Sequence, residues 1–354
     1  MSRLFRDVEG GPLCPQGSVV CIGAFDGLHL GHRALVRHAV ARARELGLSS
    51  VALGFEPLPR EFFARAMPPP RLTLPRQKIE GLRALGVDVI GLLRFNARLA
   101  AMSAMDFVRQ VLVGRLRAKE VWVGPGFRFG HDRAGDLQLL RELGQQHGFV
   151  ANEIEPVTVD GGRVSSTRIR QALASGDFAT ATRLLGRPYS IGGRVVRGNQ
   201  LGRTLGFPTA NLRFGGKAPA LSGIFAARVH GIARGALPAV ASFGTRPTVA
   251  GTTPLLEAHV FDFDGDLYGR HVDVEFVAPD TGTQRRDQHG DGFAGEHFLE
   301  AHALDVQDLA AQGQNRLVGA IARLLCAAAG AVALDDEQFA LGRIAFLAVC
   351  KFAG

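Results

Sequence analysis

The sequence predicts a parallel α/β sheet, then a small antiparallel β-barrel, then an atypical, partly helical tail. Three observations predict this. From residue 19 to about 160, apolar runs of strand length alternate with helical stretches of ten or more residues, the rhythm of βαβ units. From Arg187 the texture changes to short β-prone segments at close spacing, which is the rhythm of a small barrel. After Val277 that rhythm fades into the polar stretch APDTGTQRRDQHGDGFAGEH and two or three helical segments. A chain of 354 residues is long enough for two domains with their own cores. The expected divisions are 1–186, 187–300 and a tail over 301–354.

Residues 1–18 read as a Gly/Pro-bearing lead-in. Val19-Val20-Cys21-Ile22 has the length and β-branching of a buried parallel strand, ended by Gly23 and the turn Phe25-Asp26-Gly27. His29 and His32 flank Gly31 and lead into a helix through Leu46. SSVALGF is the next strand, followed by FEPLP, a helical RLTLPRQKIEGLRALG and the strand VDVIGLLRF. Helical MSAMDFVRQVLVGRL, the strand KEVWVG, the helix AGDLQLLRELGQQHG and the strand VANEIEPV complete the series. Ligands of such sheets bind beyond the carboxyl ends of the strands, where FDGLHLGH, FEPLP and VGPGFRFG all fall. Residues 165–186 read as a capped helix, a Gly break and a second short helix. The barrel segments are YSIGGRVVRG, GIFAARVHG, LPAVASFG, LLEAHVFDF and RHVDVEFV, with turns at Gly198-Asn199 and Asp264-Gly265-Asp266.

The net charge of +8 comes almost wholly from arginine, since Lys78, Lys119, Lys217 and Lys351 are the only lysines. Such a balance suits polyanions, and nucleotides qualify as well as nucleic acid. Arginines scattered without a run of five or six argue against a nucleic-acid tail. Cys14, Cys21, Cys326 and Cys350 have neither disulfide-framework nor zinc spacing, so a reducing cytoplasm is expected. MSRLFRDVEGG has no apolar signal core. Leu317–Leu334, interrupted by Arg323, reads as a buried or amphipathic helix rather than a membrane span.

A strand, a glycine turn and a helix start with polar donors at its top can hold a phosphate, because free N–H groups and the helix dipole face the anion. Histidines at i and i+3 share a face and can stabilise charge developing on phosphorus. Gly31 lets a flat base approach the backbone. Two surface histidines on an ordinary helix would show the same spacing. Ser165-Ser166-Thr167-Arg168-Ile169-Arg170 offers hydroxyl caps and two arginines, a phosphate cradle or simply a capped helix with a basic face.

FDGLHLGH directly after a buried strand resembles the H-x-G-H signature of nucleotidyltransferases. With FDG and FEPLP, the chain is similar to the bacterial bifunctional riboflavin kinase/FAD synthetase family. Arg71-Leu72-Thr73 with Lys78, WVGPGFRFGHDRAGD at 122–136 and SSTRIR extend the likeness. Gly192–Asn211, GGRVVRGNQLGRTLGFPTAN, resembles the riboflavin kinase signature, and Phe243–Thr248 and Leu256–His259 continue it. The resemblance covers roughly residues 10–277. It implies a Rossmann-like nucleotidyltransferase domain followed by a kinase barrel, and an enzyme that makes FMN from riboflavin and then FAD from FMN, using ATP and Mg²⁺.

For adenylyl transfer the resemblance implies that His29 and His32 bind the α-phosphate. Gly23, Phe25, Asp26 and Gly31 would surround ATP, with Asp26 orienting a histidine or helping to hold Mg²⁺. Ser165, Ser166, Thr167 and Arg168 would take the outgoing phosphates, and Phe55, Pro57, Pro59, Phe127 and Arg128 the flavin. For the kinase it implies Gly198, Gly202, Arg203, Gly206 and Pro208 around the phosphates, Thr209 and Asn211 on Mg²⁺, and Glu257 as general base. Backbone donors of glycines suit phosphates, and hydroxyl and amide oxygens suit Mg²⁺. Riboflavin, FMN and ATP are the expected partners, with neither nucleic acid nor membrane; the sequence says nothing of oligomeric state. Two departures stand out: Gly126 replaces the family's usual Asp or Asn, and Gln284–Gln288 only echoes the family's closing L-R-x-E-x-x-F segment. The alternatives are a protein with one activity retained, or a non-catalytic flavin or nucleotide sensor.

Overall fold

The computed structural model describes residues 2–279, apart from 65–67, 198–208, 216, 218, 249–250, 262 and 264. Six parallel strands form the first sheet: β1 (Arg3–Phe5), β2 (Ser18–Ile22), β3 (Ser49–Glu56), β4 (Val89–Arg94), β5 (Ala118–Val123) and β6 (Val150–Glu153), in the order β1-β4-β3-β2-β5-β6. Both faces are covered, as a parallel sheet requires. Val20, Ile22, Val51 and Leu53 pack with Phe107, Val111, Leu112 and Leu140 on one side. Val19, Cys21 and Ala52 pack with Leu35, Val36, Ala39 and Leu82 on the other. Alternate residues of one apolar run thus feed two cores.

The covering helices are α1 (Leu30–Glu45), α2 (Pro59–Phe63), α3 (Pro75–Ala84), α4 (Ala97–Ala100), α5 (Ala104–Phe107, continued as a π-helix over Val108–Arg115) and α6 (Leu137–His147). A hairpin of β7 (Thr158–Val159) and β8 (Gly162–Arg163) precedes α7 (Ser166–Ala174) and α8 (Phe178–Leu185). Two expectations change. The lead-in contains an edge strand, β1, whose three residues are too few to show a period; it pairs with Val89–Gly91 and buries Phe5. The helix expected over 71–86 starts only at Pro75: proline at the first helical position holds Leu74 extended, and the N–H groups of Leu72 and Thr73 go instead to the Asp26 carboxylate. The chain runs β2-β3-β4 to one side and returns to β5-β6 on the other, so the order reverses between β2 and β5. Ligands enter open sheets at such a reversal, beyond the carboxyl ends.

The barrel comprises β9 (Ser190–Val196), β10 (Thr209–Arg213), β11 (Gly223–His230), β12 (Leu237–Thr248), β13 (Gly251–Val260) and β14 (His271–Pro279), closed in the order β10-β13-β12-β11-β14-β9. Closure removes the unpaired edges that a small open sheet would expose. Leu212, Phe225, Phe243, Leu256, Val274 and Phe276 fill its interior. Sheet and barrel belong to one compact unit, Met1–Val260 with Asp264–Asp280. The turn Gly198-Asn199, the segment Gln284–Gln288, Leu317–Leu334 and the whole expected tail lie outside the described residues. Cys14 and Cys21 are buried free thiols.

Candidate active sites

His29 caps α1: its Nδ1 accepts the His32 N–H at 3.3 Å. The acceptor nitrogen is bare, so the ring's proton sits on Nε2, the tautomer that can donate outward. His32 stacks on it, with ring centroids 3.7 Å apart and planes 15° from parallel. Burial, reinforced by the charges of Arg163 and Arg170, pushes His29 down to about 4. Burial, then His29 and Lys78, hold His32 well below the ordinary imidazole value. The pair is neutral at physiological pH inside a positive field, an arrangement that donates to an anion without shedding a proton. Gly31 leaves room for this stack, since a Cβ there would lie 3.3 Å from His29 Cε1 and press on the ring. It would also lie 3.8 Å from the Val164 carbonyl oxygen, so the N-termini of α1 and α7 converge. Phe25, fully buried, sets its ring edge-on to His32 at 5.4 Å; it supports the histidine from within.

The turn carrying these residues is held from every side. Asp26, 1% exposed, accepts from the N–H groups of Leu72 and Thr73 and from the Arg170 guanidinium. Both of its oxygens thus tie this turn to the segment before α3 and to α7. Gly27 N–H donates to Thr73 Oγ1 at 2.7 Å, Ser166 Oγ to the Asp26 carbonyl at 2.9 Å, and Lys78 Nζ to the Ala24 carbonyl at 2.9 Å. Ser165 caps α7 by accepting from the Arg168 N–H at 3.3 Å. The Arg168 guanidinium donates to the carbonyls of Val159, Gly162 and Arg163, securing the hairpin. Thr167 is exposed at the start of the helix. The clip residues Thr73 and Lys78 lie in a stretch read only as family likeness; their distance along the chain hid their function.

Beside the histidines, β3 ends in Phe55, whose ring meets Phe95 at 5.8 Å, and Phe62 and Phe63 join the same cluster. Phe63 is 68% exposed. Pro57 and Pro59 follow Phe55 and open α2. At the end of β5, Phe127 stacks on Phe129 with centroids 5.4 Å apart, and Arg128 is exposed 3.4 Å from Asp136. The sequence singled out Phe55 and Phe127; Phe62, Phe63 and Phe95 join Phe55 only in space, and no sequence period links them. Gly126 has φ 74° with open space around its Cα. Asp and Asn are the side-chain-bearing residues that visit this left-handed region most readily.

On the barrel, Asn211 faces Glu257 across the β10–β13 ladder, and Glu257 faces Ser242 across the next. Thr209, two residues before Asn211, shares that face, opposite the apolar interior of Leu212, Leu256 and Ala258. Asn211 Nδ2 donates to the Thr209 carbonyl at 3.2 Å, and among the described residues the buried Oδ1 has no hydrogen-bond partner. An orphaned amide oxygen beside a hydroxyl fits a hard oxygen-seeking cation such as Mg²⁺. Gly23 lies between β2 and the turn, whereas Gly198, Gly202, Arg203, Gly206 and Pro208 lie outside the described residues.

Residues 12–168 match the family model described as FAD synthetase, and residues 185–285 that described as riboflavin kinase. The chain is 44% identical over 273 residues to the bifunctional riboflavin kinase/FMN adenylyltransferase of Escherichia coli (strain K12), spanning 77% of this chain and 87% of that one. The proteins of the same description from Pseudomonas fluorescens and Haemophilus influenzae are 45% and 40% identical, spanning 74% and 77% of this chain and 84% and 89% of theirs. A crystal structure described as a macrolide-efflux protein from Streptococcus pneumoniae shares the fold with a TM-score of 0.66 at 28% identity, covering 89% of this chain and 99% of that one. Among the described residues, no helix is long and apolar enough to cross a membrane. With residues 12–168 and 185–285 matching the two family models, and relatives at 40–45% identity described as bifunctional, this chain belongs to the bifunctional riboflavin kinase/FMN adenylyltransferase family.

Proposed function

We propose that the family's two reactions are divided between barrel and sheet, with residues 187–300 phosphorylating riboflavin and residues 1–186 converting the resulting FMN to FAD. In adenylyl transfer an FMN phosphate oxygen attacks the α-phosphorus of ATP, and the bond to the departing pyrophosphate breaks. No protein nucleophile is required; positioning and charge stabilisation suffice. His29 Nε2–H and the His32 ring donate to the α-phosphate as charge builds on its oxygens. The exposed Thr167 and the N-terminus of α7, capped by Ser165, receive the pyrophosphate, with Ser166 and Arg168 holding that helix in place. Phe55, Pro57, Pro59 and Phe127 line the flavin side, with Arg128 at its edge. Gly126, at φ 74° with open space beside it, leaves room on this side of the site.

At the barrel, Glu257 takes the proton of the ribityl hydroxyl that attacks the γ-phosphorus, and ADP leaves. Thr209 Oγ1 and Asn211 Oδ1 would hold Mg²⁺, which when bound offsets the negative charge of the nucleotide phosphates. Buried free thiols at Cys14 and Cys21 suit a cytoplasmic setting.

The observation that carries the reading is the neutral, stacked histidine pair where two helix N-termini meet. Incubation with riboflavin, Mg²⁺ and ATP, with FMN and FAD resolved by chromatography, tests it. His29→Ala and His32→Ala should each lower FAD formation by about a hundredfold or more, typical of a lost transition-state donor, and leave FMN formation intact. Glu257→Ala should stop FMN formation but still make FAD from supplied FMN. Loss of both activities from any one of these changes in a folded protein would refute the division.

A further inference from the structure

Four charges meet where barrel and sheet touch, and neither reaction as described uses any of them. Arg71 is fully buried, and its fork is shared between two carboxylates. Its terminal nitrogens donate to Glu56 at 3.0 Å each, and its Nε to Glu61 at 2.7 Å, with a further bond to Glu61. Glu56 ends β3 immediately before Pro57. Glu61 closes the same loop from α2, accepting the Leu58 N–H at 3.0 Å. One guanidinium carries a single charge against two carboxylates, one buried and one 14% exposed.

The second cation comes from the barrel. Lys217 Nζ lies 2.9 Å from Glu56 and 3.4 Å from Glu61. It sits on the connection after β10, and two residues later Pro219 forms a parallel β-bridge with Arg71 itself. Lys78, though near the cluster, gives its ammonium to the Ala24 carbonyl. Removing one member of a buried ion cluster leaves the remaining charge uncompensated, and the backbone bearing it must shift.

We propose that Lys217 is a positioning residue for adenylyl transfer, a barrel side chain that completes the Arg71–Glu56–Glu61 cluster and so holds the Phe55–Pro59 loop in its flavin-binding shape. The proposal rests on the reading that this loop lines the flavin side of the sheet's site. It makes FAD formation dependent on a barrel residue that touches neither substrate.

The test uses the full chain with Lys217→Met, Lys217→Arg, Phe55→Ala and, as a control for loss of any barrel cation, Arg228→Met, which breaks a pair with Glu275. KM for FMN, kcat of FAD formation and the riboflavin kinase rate are measured for each. Lys217→Met should raise KM for FMN by about tenfold, a modest effect because the ammonium is 22% exposed and partly screened. Its kinase rate should stay at the wild-type value, Lys217→Arg should restore KM, and Arg228→Met should change neither. Adding Glu56→Gln to Lys217→Met should recover part of the loss, which a purely steric role would not. An unchanged KM in Lys217→Met, or a parallel loss of both activities, overturns the proposal while Phe55→Ala still raises KM. If Phe55→Ala leaves KM unchanged, the flavin-side reading itself fails.

Discussion

At the scale of single residues, the site is defined by groups whose ordinary charge has been suppressed. His29 titrates near 6.5 in an unfolded chain and near 4 in the fold, because burial and the neighbouring arginines disfavour the imidazolium. Between those values the unfolded chain binds the proton more tightly, so stability is full above pH 6.5 and is lost as pH falls towards 4. At 1.36 kcal/mol per unit, this one ring accounts for about 3 kcal/mol across that window. His29→Asn keeps a capping acceptor but cannot titrate. Its unfolding free energy, followed by urea melts between pH 4 and 7, should therefore show a shallower pH dependence than wild type, by roughly one proton. Equal slopes would mean that the ring is charged in the fold. The histidine spacing, their place after a strand and Gly31 were all legible in the sequence. Neutrality was not, since it comes first from burial in the fold and then from Arg163, Arg170 and Lys78, which are remote along the chain.

At the scale of elements, α1 and α7 act as a pair. Each begins at a side-chain cap, His29 in one and Ser165 in the other, and their positive ends converge on the same turn. Ser165→Ala removes the acceptor for the Arg168 N–H and should cost about 1 kcal/mol of stability, read as a lower urea midpoint. FAD formation should fall with it and FMN formation should not. The strand-helix alternation and the capped helix at 165 were readable from periodicity and capping residues. The start of α3 at Pro75 was available from the proline itself, which favours the first helical position and an extended residue before it; that Leu72 and Thr73 turn to Asp26 was not. The edge strand β1 was hidden by its length.

At the scale of the whole molecule, sheet and barrel are joined by contacts at several points. Lys217 reaches the flavin loop, Arg187 donates to the Gly27 carbonyl at 3.0 Å, and Gln77 donates to the Ser190 carbonyl at 3.3 Å. Phe178 on α8 meets Phe225 of the barrel at 6.0 Å between ring centroids. Such interlocking should make the two halves unfold together. The chain offers a direct check, because its one tryptophan, Trp122, lies in β5 and its two tyrosines, Tyr189 and Tyr268, lie on the barrel side. Tryptophan and tyrosine fluorescence should report coincident urea midpoints; separated midpoints would show two independent units.

The sequence by itself determined the order of strands and helices, the change of texture at the barrel, and the glycine turns and caps on which phosphate chemistry depends. Those features arise from residues a few positions apart, so period and spacing record them. Only the tertiary structure decided that Asp26 clips the turn to Leu72, Thr73 and Arg170, that burial holds the histidines neutral, and that a barrel lysine meets Glu56 and Glu61. Arg170 finds Asp26 across 144 residues and Lys217 finds Glu61 across 156. Charges pair through space once the chain has closed on itself, and linear order carries no trace of which carboxylate a distant cation will meet.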